Sequence, residues 1–278
     1  MDHNICQVTV ENDVYDYPKG TPYRDIAKAM QKKYRYPIVL VTVDGRLREL
    51  HKCLDHSCTM GFVTLADDIG HKTYQRSLTL LMLKAMYHVA GHEKIDKIVV
   101  QYSMGSGFYC TVQGRVSLDQ EFLDQVKEYM TELAEREIPI RKKNVGTHEA
   151  REKFRSYGML DKEKLFRYRR VSRVNLYELD GFEDYFYGFM VADTGYLKYF
   201  DLRLYDEGFV LIFPTRYEPE TLPELEFSRK VFQVQKESEG WGQRLGIDTV
   251  GALNGKICEG GSHHMMLIAE ALQEQKIA

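Results

Sequence analysis

The chain has 278 residues, enough for one large domain or two smaller ones, each with its own core. Its net charge of −3 gives no overall electrostatic footprint for nucleic acid, and no apolar run approaches the roughly 20 residues that a membrane span requires. The five cysteines are irregularly spaced, which argues against a disulfide framework and favours a cytoplasmic protein without membrane association.

The sequence up to about residue 65 predicts short strands around one helix. ICQVTVEN and VYDYPKG form a predicted hairpin, because apolar and polar residues alternate along them. A helix over PYRDIAKAMQKKY follows, and PIVLVTVDGRLREL then predicts a second hairpin with Asp44 and Gly45 in a type I′ turn. TMGFVTL predicts one more strand, so this region has the pattern of a small ubiquitin-like β-grasp module.

A larger α+β pattern begins after Asp67 and Asp68. YQRSLTLLMLKAMYHVAG predicts a long helix with Leu78, Leu81 and Met82 buried. A hairpin over KIVVQYSMGSGFYCTVQG and an amphipathic helix capped by Ser117 come next. Further along, IPIRKKNV predicts a strand, THEAREKFRSYG and DKEKLFRYRR predict helices, and VNLYELD, YFYGFMV and YLKYFDLRLYDEGFVLIF predict strands. Past Pro223 the pattern is helical again.

This order of elements resembles the N-terminal half of threonyl-tRNA synthetases. In those enzymes a β-grasp domain, called TGS, precedes an editing domain whose latter part is the second additional domain (SAD). The resemblance implies an α+β fold with a TGS-like domain over residues 1–66, an editing/SAD-like domain over residues 67–222 and a helical segment over residues 223–278.

Four strings are similar to a narrower family, the bacterial uridine kinase-like proteins. They are GHKTYQRSLTLLMLKA, YGFMVADTGYLKYFDLRLYDEG, WGQRLGIDTVGALNGKI and IAEALQEQKIA. In that family the synthetase-like region precedes a P-loop nucleoside kinase domain. The resemblance implies that this chain is a fragment ending before its kinase domain, which would be its partner and would use ATP and Mg²⁺ to phosphorylate a nucleoside such as uridine. The alternative is a stand-alone relative without the kinase. The chain itself would need no cofactor.

A P-loop requires G-x-x-x-x-G-K-[ST], and the sequence contains only the imperfect GALNGKI, from Gly251 to Ile257. It is one residue short between the glycines, and Ile257 stands where a hydroxyl is required. We therefore expect a turn between two helices here rather than a phosphate site.

Synthetase-type editing is not supported by the residues present. By resemblance, the editing site needs an H-x-x-x-H pair on the long helix and a later Cys and His. The matching positions here carry Thr73 and Ser77, or His71 and Gln75 if the alignment starts from His71. The stretch from Asn175 to Arg216 has neither Cys nor His. We therefore predict no catalytic residue in this chain.

A polar cluster nevertheless marks the start of this helix. Lysine, arginine and free helix N–H groups together suit a phosphate or carboxylate, although the same residues also suit a solvated helix start paired with Asp67 and Asp68. Asp201 and Arg203 are the residues we expect on a second wall. The predicted ligand-binding residues of this degenerate pocket are His71, Lys72, Thr73, Tyr74, Arg76, Ser77, Asp201 and Arg203.

Two basic stretches, RKK from Arg141 to Lys143 and RYRRVSR from Arg167 to Arg173, favour RNA as a second kind of ligand. Tyr168 among the arginines is placed to stack on a base. The alternative is that these arginines form ion pairs with the abundant acidic residues.

The octet HKCLDHSC, from His51 to Cys58, has the residue types of a zinc site. Its spacing is tighter than a tetrahedral site usually permits, and no distant second pair of ligands accompanies it. We predict no metal site, and we expect this octet to close the β-grasp module.

These patterns lead to one main hypothesis and two alternatives. The main one is a non-catalytic accessory, regulatory or ligand-binding region of a uridine kinase-like protein, with a small molecule or RNA as its ligand. The alternatives are an RNA- or tRNA-binding module and a residual aminoacyl-tRNA editing hydrolase.

Overall fold

The structure is a computed structural model that describes residues 4–277. The described part of the chain contains twelve strands and eight α-helices, and these form an α+β fold with separate sheets, as predicted. The chain divides into two compact units. Unit 1 comprises Met1–Lys143 and Leu176–Glu226, and unit 2 comprises Asn144–Asn175 and Phe227–Ala278. The three-domain division at residues 66 and 222 stays a prediction. Within residues 4–277, every helix is too short or too polar to cross a membrane.

Unit 1 begins with a five-stranded mixed sheet. Its strands are β1 (Ile5–Val10), β2 (Asp13–Pro18), β3 (Ile38–Val43), β4 (Arg46–Glu49) and β5 (Cys58–Thr64). The order is β2-β1-β5-β3-β4, and β1 runs parallel to β5. Helix α1 (Tyr23–Met30) buries Ile26 in the same core as Val8 and Val41. The predicted hairpin turn is confirmed, since Asp44 and Gly45 both have positive φ, at 49° and 75°.

Helix α2 (Asp68–Ala90) is the centre of unit 1. It starts six residues before the predicted Tyr74, because its first turn is polar and shows no apolar periodicity. Every residue from Ser77 to Leu83 is buried, which is nearly two turns of helix, so α2 is enclosed on all sides. Leu78, Leu81 and Met82 are fully buried, as predicted.

A four-stranded antiparallel sheet follows, in the order β11-β12-β7-β6. Its strands are β6 (Ile95–Ser103), β7 (Gly107–Gly114), β11 (Asp201–Tyr205) and β12 (Gly208–Ile212). Helix α3 (Gln120–Glu135) begins at a different cap from the predicted Ser117: the Asp119 carboxylate accepts a hydrogen bond from the Phe122 N–H.

Three more strands, β8 (Arg141–Gly146), β9 (Arg173–Leu179) and β10 (Phe182–Tyr185), are ordered β10-β9-β8. The chain passes into unit 2 within β8 and returns within β9. The predicted strand YFYGFMV is wrong beyond Tyr185, since residues 186–192 form no ladder.

Unit 2 is helical apart from the strand ends. Its helices are α4 (Thr147–Ser156), α5 (Leu160–Arg167), α6 (Arg229–Arg244), α7 (Val250–Cys258) and α8 (Ser262–Ile277). GALNGKI lies inside α7, so the turn predicted there is wrong. Gly251 lies against the backbone of α5, where a Cβ would come within 2.7 Å of the Leu165 nitrogen. The absence of a side chain at Gly251 therefore allows α5 and α7 to pack closely.

Candidate functional site: helix α2 and the crossing segment

Four backbone groups of residues 188–192, here called the crossing segment, are bound by side chains or backbone from distant parts of unit 1. The Phe189 carbonyl accepts a hydrogen bond from Arg76 at 2.6 Å, and the Val191 N–H donates to the Ser77 hydroxyl at 2.9 Å. The Met190 N–H donates to the Glu49 carboxylate at 3.1 Å, and the Ala192 carbonyl accepts from the Ile140 N–H at 3.0 Å. These bonds replace the ladder of a strand, which explains why an irregular segment is buried here.

Glu49 is the charged group at the middle of this arrangement, and it is only 3% exposed. Its second carboxylate oxygen lies 2.9 Å from the Lys142 ammonium, and Lys142 itself lies over the rings of Tyr177 and Phe189. The Tyr177 hydroxyl is 2.6 Å from both Glu49 Oε1 and the Gly188 carbonyl, so it shares one proton between them. Burial, together with the nearby Glu49 charge, raises the pKa of Tyr177.

The predicted residues Thr73 and Ser77 are buried on the face of α2 toward this segment, but their hydroxyls are already engaged. Thr73 donates to the Ile69 carbonyl, and Ser77 donates to the Thr73 carbonyl while accepting from Val191. Ser77 Oγ also lies 3.3 Å from the sulfur of Met190. None of these contacts involves a general base, so the hydroxyls of Thr73 and Ser77 have a structural role here.

Tyr74 and Arg76 also hold the chain rather than face an open site. The Tyr74 hydroxyl donates to the Tyr199 carbonyl and accepts from the Tyr199 N–H, at 2.7 and 3.1 Å. Burial raises the pKa of Tyr74 and lowers that of Arg76, because each loses water around its charged form. Gly188 leaves space for the Arg76 guanidinium, since a Cβ there would lie 2.6 Å from Arg76 Cζ.

The other predicted ligand-binding residues have different partners and do not join this network. His71 Nε2 lies 2.9 Å from the Pro214 carbonyl, and Lys72 forms an exposed ion pair with Asp68 at 2.7 Å. Asp201 instead binds Lys127 of α3 at 2.7 Å and Arg203 at 3.0 Å. Burial disfavours the Asp201 charge, but the hydrogen bonds from Lys127 and Arg203 outweigh this and lower the pKa of Asp201. A ligand role for the eight predicted residues stays a prediction.

Sequence reasoning missed Glu49, Tyr177 and Lys142 as parts of this network. A signal for Glu49 was present, since it follows Leu47 by two residues on β4 and so shares its side of the strand. A carboxylate on the same side of a strand as an apolar residue faces the interior, where it needs a buried partner. Tyr177 gave no comparable signal among the other aromatic residues of β9 and β10.

The two basic stretches differ in their surroundings. In unit 1, Lys142 pairs with Glu49 and Lys143 pairs with Glu183 at 2.5 Å, while Arg141 is 3.9 Å from Glu178. In unit 2, the side chains of Arg167, Arg170 and Arg173 are exposed. Arg173 donates to the side chain and carbonyl of Asn144, both of which are uncharged acceptors.

Charge is divided unevenly between the units. Unit 1 has 23 Lys and Arg against 31 Asp and Glu, whereas unit 2 has 15 against 10. The overall charge of −3 is therefore the sum of an acidic unit 1 and a basic unit 2. Residues 144–175 alone carry nine Lys and Arg against four Asp and Glu.

The octet HKCLDHSC is distributed over different environments. Cys53 is exposed, whereas Cys58 is buried in the core of the first sheet. His56 lies between Asp55 and Asp44, at 2.5 and 3.0 Å, and His51 is 3.9 Å from Glu49. Over residues 4–277, no three His, Cys, Asp or Glu side chains are arranged to hold a metal ion.

Comparison with known proteins finds no matching family model. The chain is 27% identical over 190 residues to the threonine–tRNA ligase of Thermotoga maritima. The aligned region covers 67% of this chain and 28% of the ligase. It is 28% identical over 189 residues to the ligase of Halorhodospira halophila, covering 68% and 29%, and 23% identical over 192 residues to that of Carboxydothermus hydrogenoformans, covering 69% and 30%. The chain thus spans less than a third of the length of these relatives.

These relatives correct the narrower resemblance drawn from the sequence. They are threonine–tRNA ligases, so the identification with uridine kinase-like nucleoside kinases is wrong, and so is the kinase domain expected as a partner. ATP and Mg²⁺ were expected only of that domain, and the expectation that the chain itself needs no cofactor stays a prediction. The similarity to threonyl-tRNA synthetases is the part of the resemblance that the comparison supports.

Proposed function

We propose that this chain is a tRNA-binding module, with the exposed arginines of unit 2 contacting the RNA backbone. The observation that carries the proposal is the similarity of two thirds of the chain to enzymes whose names specify tRNA. In this proposal residues 4–65 are a TGS-like β-grasp domain, consistent with the β2-β1-β5-β3-β4 order and its parallel central pair. The following part of unit 1 is an editing-domain-like scaffold.

The charge of unit 2 supports a backbone-binding role for this unit. Phosphate contacts need cations that reach solvent, and Arg167, Arg170 and Arg173 are exposed. By contrast, Arg151 and Arg155 are both bound to the buried Glu163, at 2.6 and 3.0 Å. We therefore assign RNA contacts to the first three arginines and a structural role to the other two.

Binding is favoured over residual editing because the groups at the editing positions are occupied. The hydroxyls of Thr73 and Ser77 each donate to a carbonyl of their own helix, and Ser77 also supports the crossing segment. A hydrolase would need a reactive water and a base beside the ester.

The test is a titration of full-length protein with a fluorescent tRNA transcript, over salt concentrations from 50 to 200 mM. The triple variant Arg167→Ala, Arg170→Ala, Arg173→Ala should bind about tenfold or more weakly. Its slope of log affinity against log salt should be smaller by about 2 to 3, as expected for three lost phosphate contacts.

The matched control removes three exposed arginines of unit 1, by Arg35→Ala, Arg46→Ala and Arg48→Ala. This variant loses the same charge but should bind tRNA like the unsubstituted protein. Equal weakening in both triple variants would indicate nonspecific attraction and contradict the assignment to unit 2. Absence of salt-dependent binding would overturn the tRNA proposal itself.

A further inference from the structure

A cavity of about 490 Å³ lies within unit 1, beside the buried Glu49 network. Its walls come from the region around α1, from the residues after β4, and from the stretch that leads into β8. Its charged and polar lining consists of Arg24, His51, Arg141, Lys142 and Lys143. Its volume is within the range of protein sites for small molecules.

The polar lining of this cavity is entirely cationic or imidazole. The balancing carboxylates are buried and do not line it: Glu49 holds Lys142 at 2.9 Å, and Asp193, only 1% exposed, holds Arg24 at 2.8 Å. Each acid thus anchors a cation at the wall while staying out of reach of a ligand. An anion in the cavity meets positive groups without meeting a carboxylate.

Arg141 is the least committed of these cations. Its side chain is 71% exposed, and its guanidinium lies a long 3.9 Å from the Glu178 carboxylate. A guanidinium presents a planar fork of donors that matches the oxygens of phosphate, so this residue is suited to hold one.

The rest of the lining is apolar. Pro22, Leu50, Pro139, Ile140 and Ala192 supply it, and the Ile140 N–H is bonded to the Ala192 carbonyl, so this floor is already hydrogen-bonded. A ligand that fills the cavity therefore needs an apolar body as well as an anionic end.

We propose that this cavity binds a small phosphate monoester with an apolar body, of about the size of a nucleotide, with its phosphate held by Arg141. Phosphate fits better than carboxylate because a monoester carries a charge of about −1.5 to −2 at pH 7 and three acceptor oxygens, which suits the guanidinium fork of Arg141. The site is distinct from the unit 2 surface proposed to bind tRNA.

The probe is AMP, titrated by calorimetry and by thermal unfolding of the full chain, with adenosine and inorganic phosphate in parallel. AMP should bind at least tenfold more tightly than either fragment and should raise Tm, since it binds the folded state. Arg141→Gln should weaken AMP binding about tenfold or more, the effect of losing a charged hydrogen bond, while leaving the Tm without ligand unchanged. Arg136→Gln, an exposed arginine outside the cavity, should bind AMP normally.

No binding of AMP at millimolar concentration, or equal binding by Arg141→Gln and the unsubstituted protein, would overturn the proposal. The unit 2 triple variant should keep its affinity for AMP, so this site and the tRNA surface succeed or fail separately. Competition with a 5′-phosphorylated RNA oligonucleotide identifies the source of the phosphate. Displacement of AMP assigns the site to an RNA end, and lack of displacement assigns it to a free nucleotide.

Discussion

The Glu49 carboxylate accepts a hydrogen bond from the Met190 N–H at 3.1 Å, across 141 residues of sequence. The same carboxylate binds the Lys142 ammonium, so one buried acid joins β4, β8 and the crossing segment. A charge this deeply buried is tolerated only when its partners are in place. Glu49 is therefore the residue on which the geometry of the crossing segment depends most directly.

Replacing Glu49 tests this dependence. Glu49→Ala leaves the Met190 N–H and the Lys142 ammonium without their acceptor, and Lys142 is only 19% exposed. We expect the free energy of unfolding to fall by about 3 kcal/mol or more, the usual cost of breaking a buried pair. Chemical denaturation measures it. Glu128→Ala, an exposed glutamate on α3, is the control and should stay within about 0.5 kcal/mol. Equal values for the two variants would show that Glu49 is not a structural centre.

Ser77→Ala distinguishes structural support from chemistry at the editing position. It removes the acceptor of the buried Val191 N–H, which should cost about 1–3 kcal/mol of stability. Thr79→Val removes a hydroxyl that donates to the Gln75 carbonyl of the same helix, so this substitution should lower stability by less. Deacylation of mischarged tRNA, assayed in parallel, should be absent in both variants and in the unsubstituted protein. Deacylation that disappears specifically in Ser77→Ala would replace the binding proposal with an editing hydrolase.

Local patterns in the sequence predicted the elements whose causes are local. The hairpin at Asp44 and Gly45 follows from a two-residue turn signal between alternating strands, and the centre of α2 follows from its apolar residues. The start of α2 was missed because its first turn is polar, and because the Asp67 carboxylate just before it is held by a side-chain bond, accepting from the backbone and hydroxyl of Thr64 three residues earlier. No periodicity reports such a bond.

The crossing segment shows the same limit more clearly. Its apolar residues lie in a stretch predicted as a strand, yet its backbone partners include Arg76 and Ser77, 113 and 114 residues earlier. The sequence did indicate the region from His71 to Ser77 as important. It did not indicate that Arg76 and Ser77 would bind backbone rather than a ligand, because that depends on where the chain returns.

Gly188 tests whether close packing of Arg76 fixes the crossing segment. Gly188 has a φ of 127°, and a Cβ there would also meet the Arg76 guanidinium. Gly181 has a φ of 79° but open space around it, so Gly181→Ala should cost only the backbone strain, about 1 kcal/mol. Gly188→Ala should cost at least about 1 kcal/mol more in chemical denaturation, because Arg76 must also move. Similar losses in the two variants would show that Arg76 yields freely.

His56 gives the five-stranded sheet of unit 1 a pH-dependent stabilisation. The hydrogen bonds that its imidazolium donates to Asp44 and Asp55 raise the pKa of His56 above its usual 6.5. A histidine with a raised folded-state pKa stabilises fully at pH values below 6.5, and this contribution is lost as the pH rises through the folded-state value. The bond to His56 also lowers the pKa of Asp55, so that carboxylate's contribution is lost as the pH falls toward and below 3.8.

The comparison is therefore between unsubstituted protein and His56→Gln, unfolded by denaturant at several pH values. Unsubstituted protein should be the more stable between about pH 5 and 6, and the difference should shrink by pH 8.5, where the imidazole is neutral. Cys58 and the core of the first sheet are unchanged by this substitution, so both proteins should unfold with the same denaturant dependence. A stability difference that stays constant from pH 5 to 8.5 would show that the His56 charge makes no contribution, leaving only the single hydrogen bond that a neutral imidazole donates.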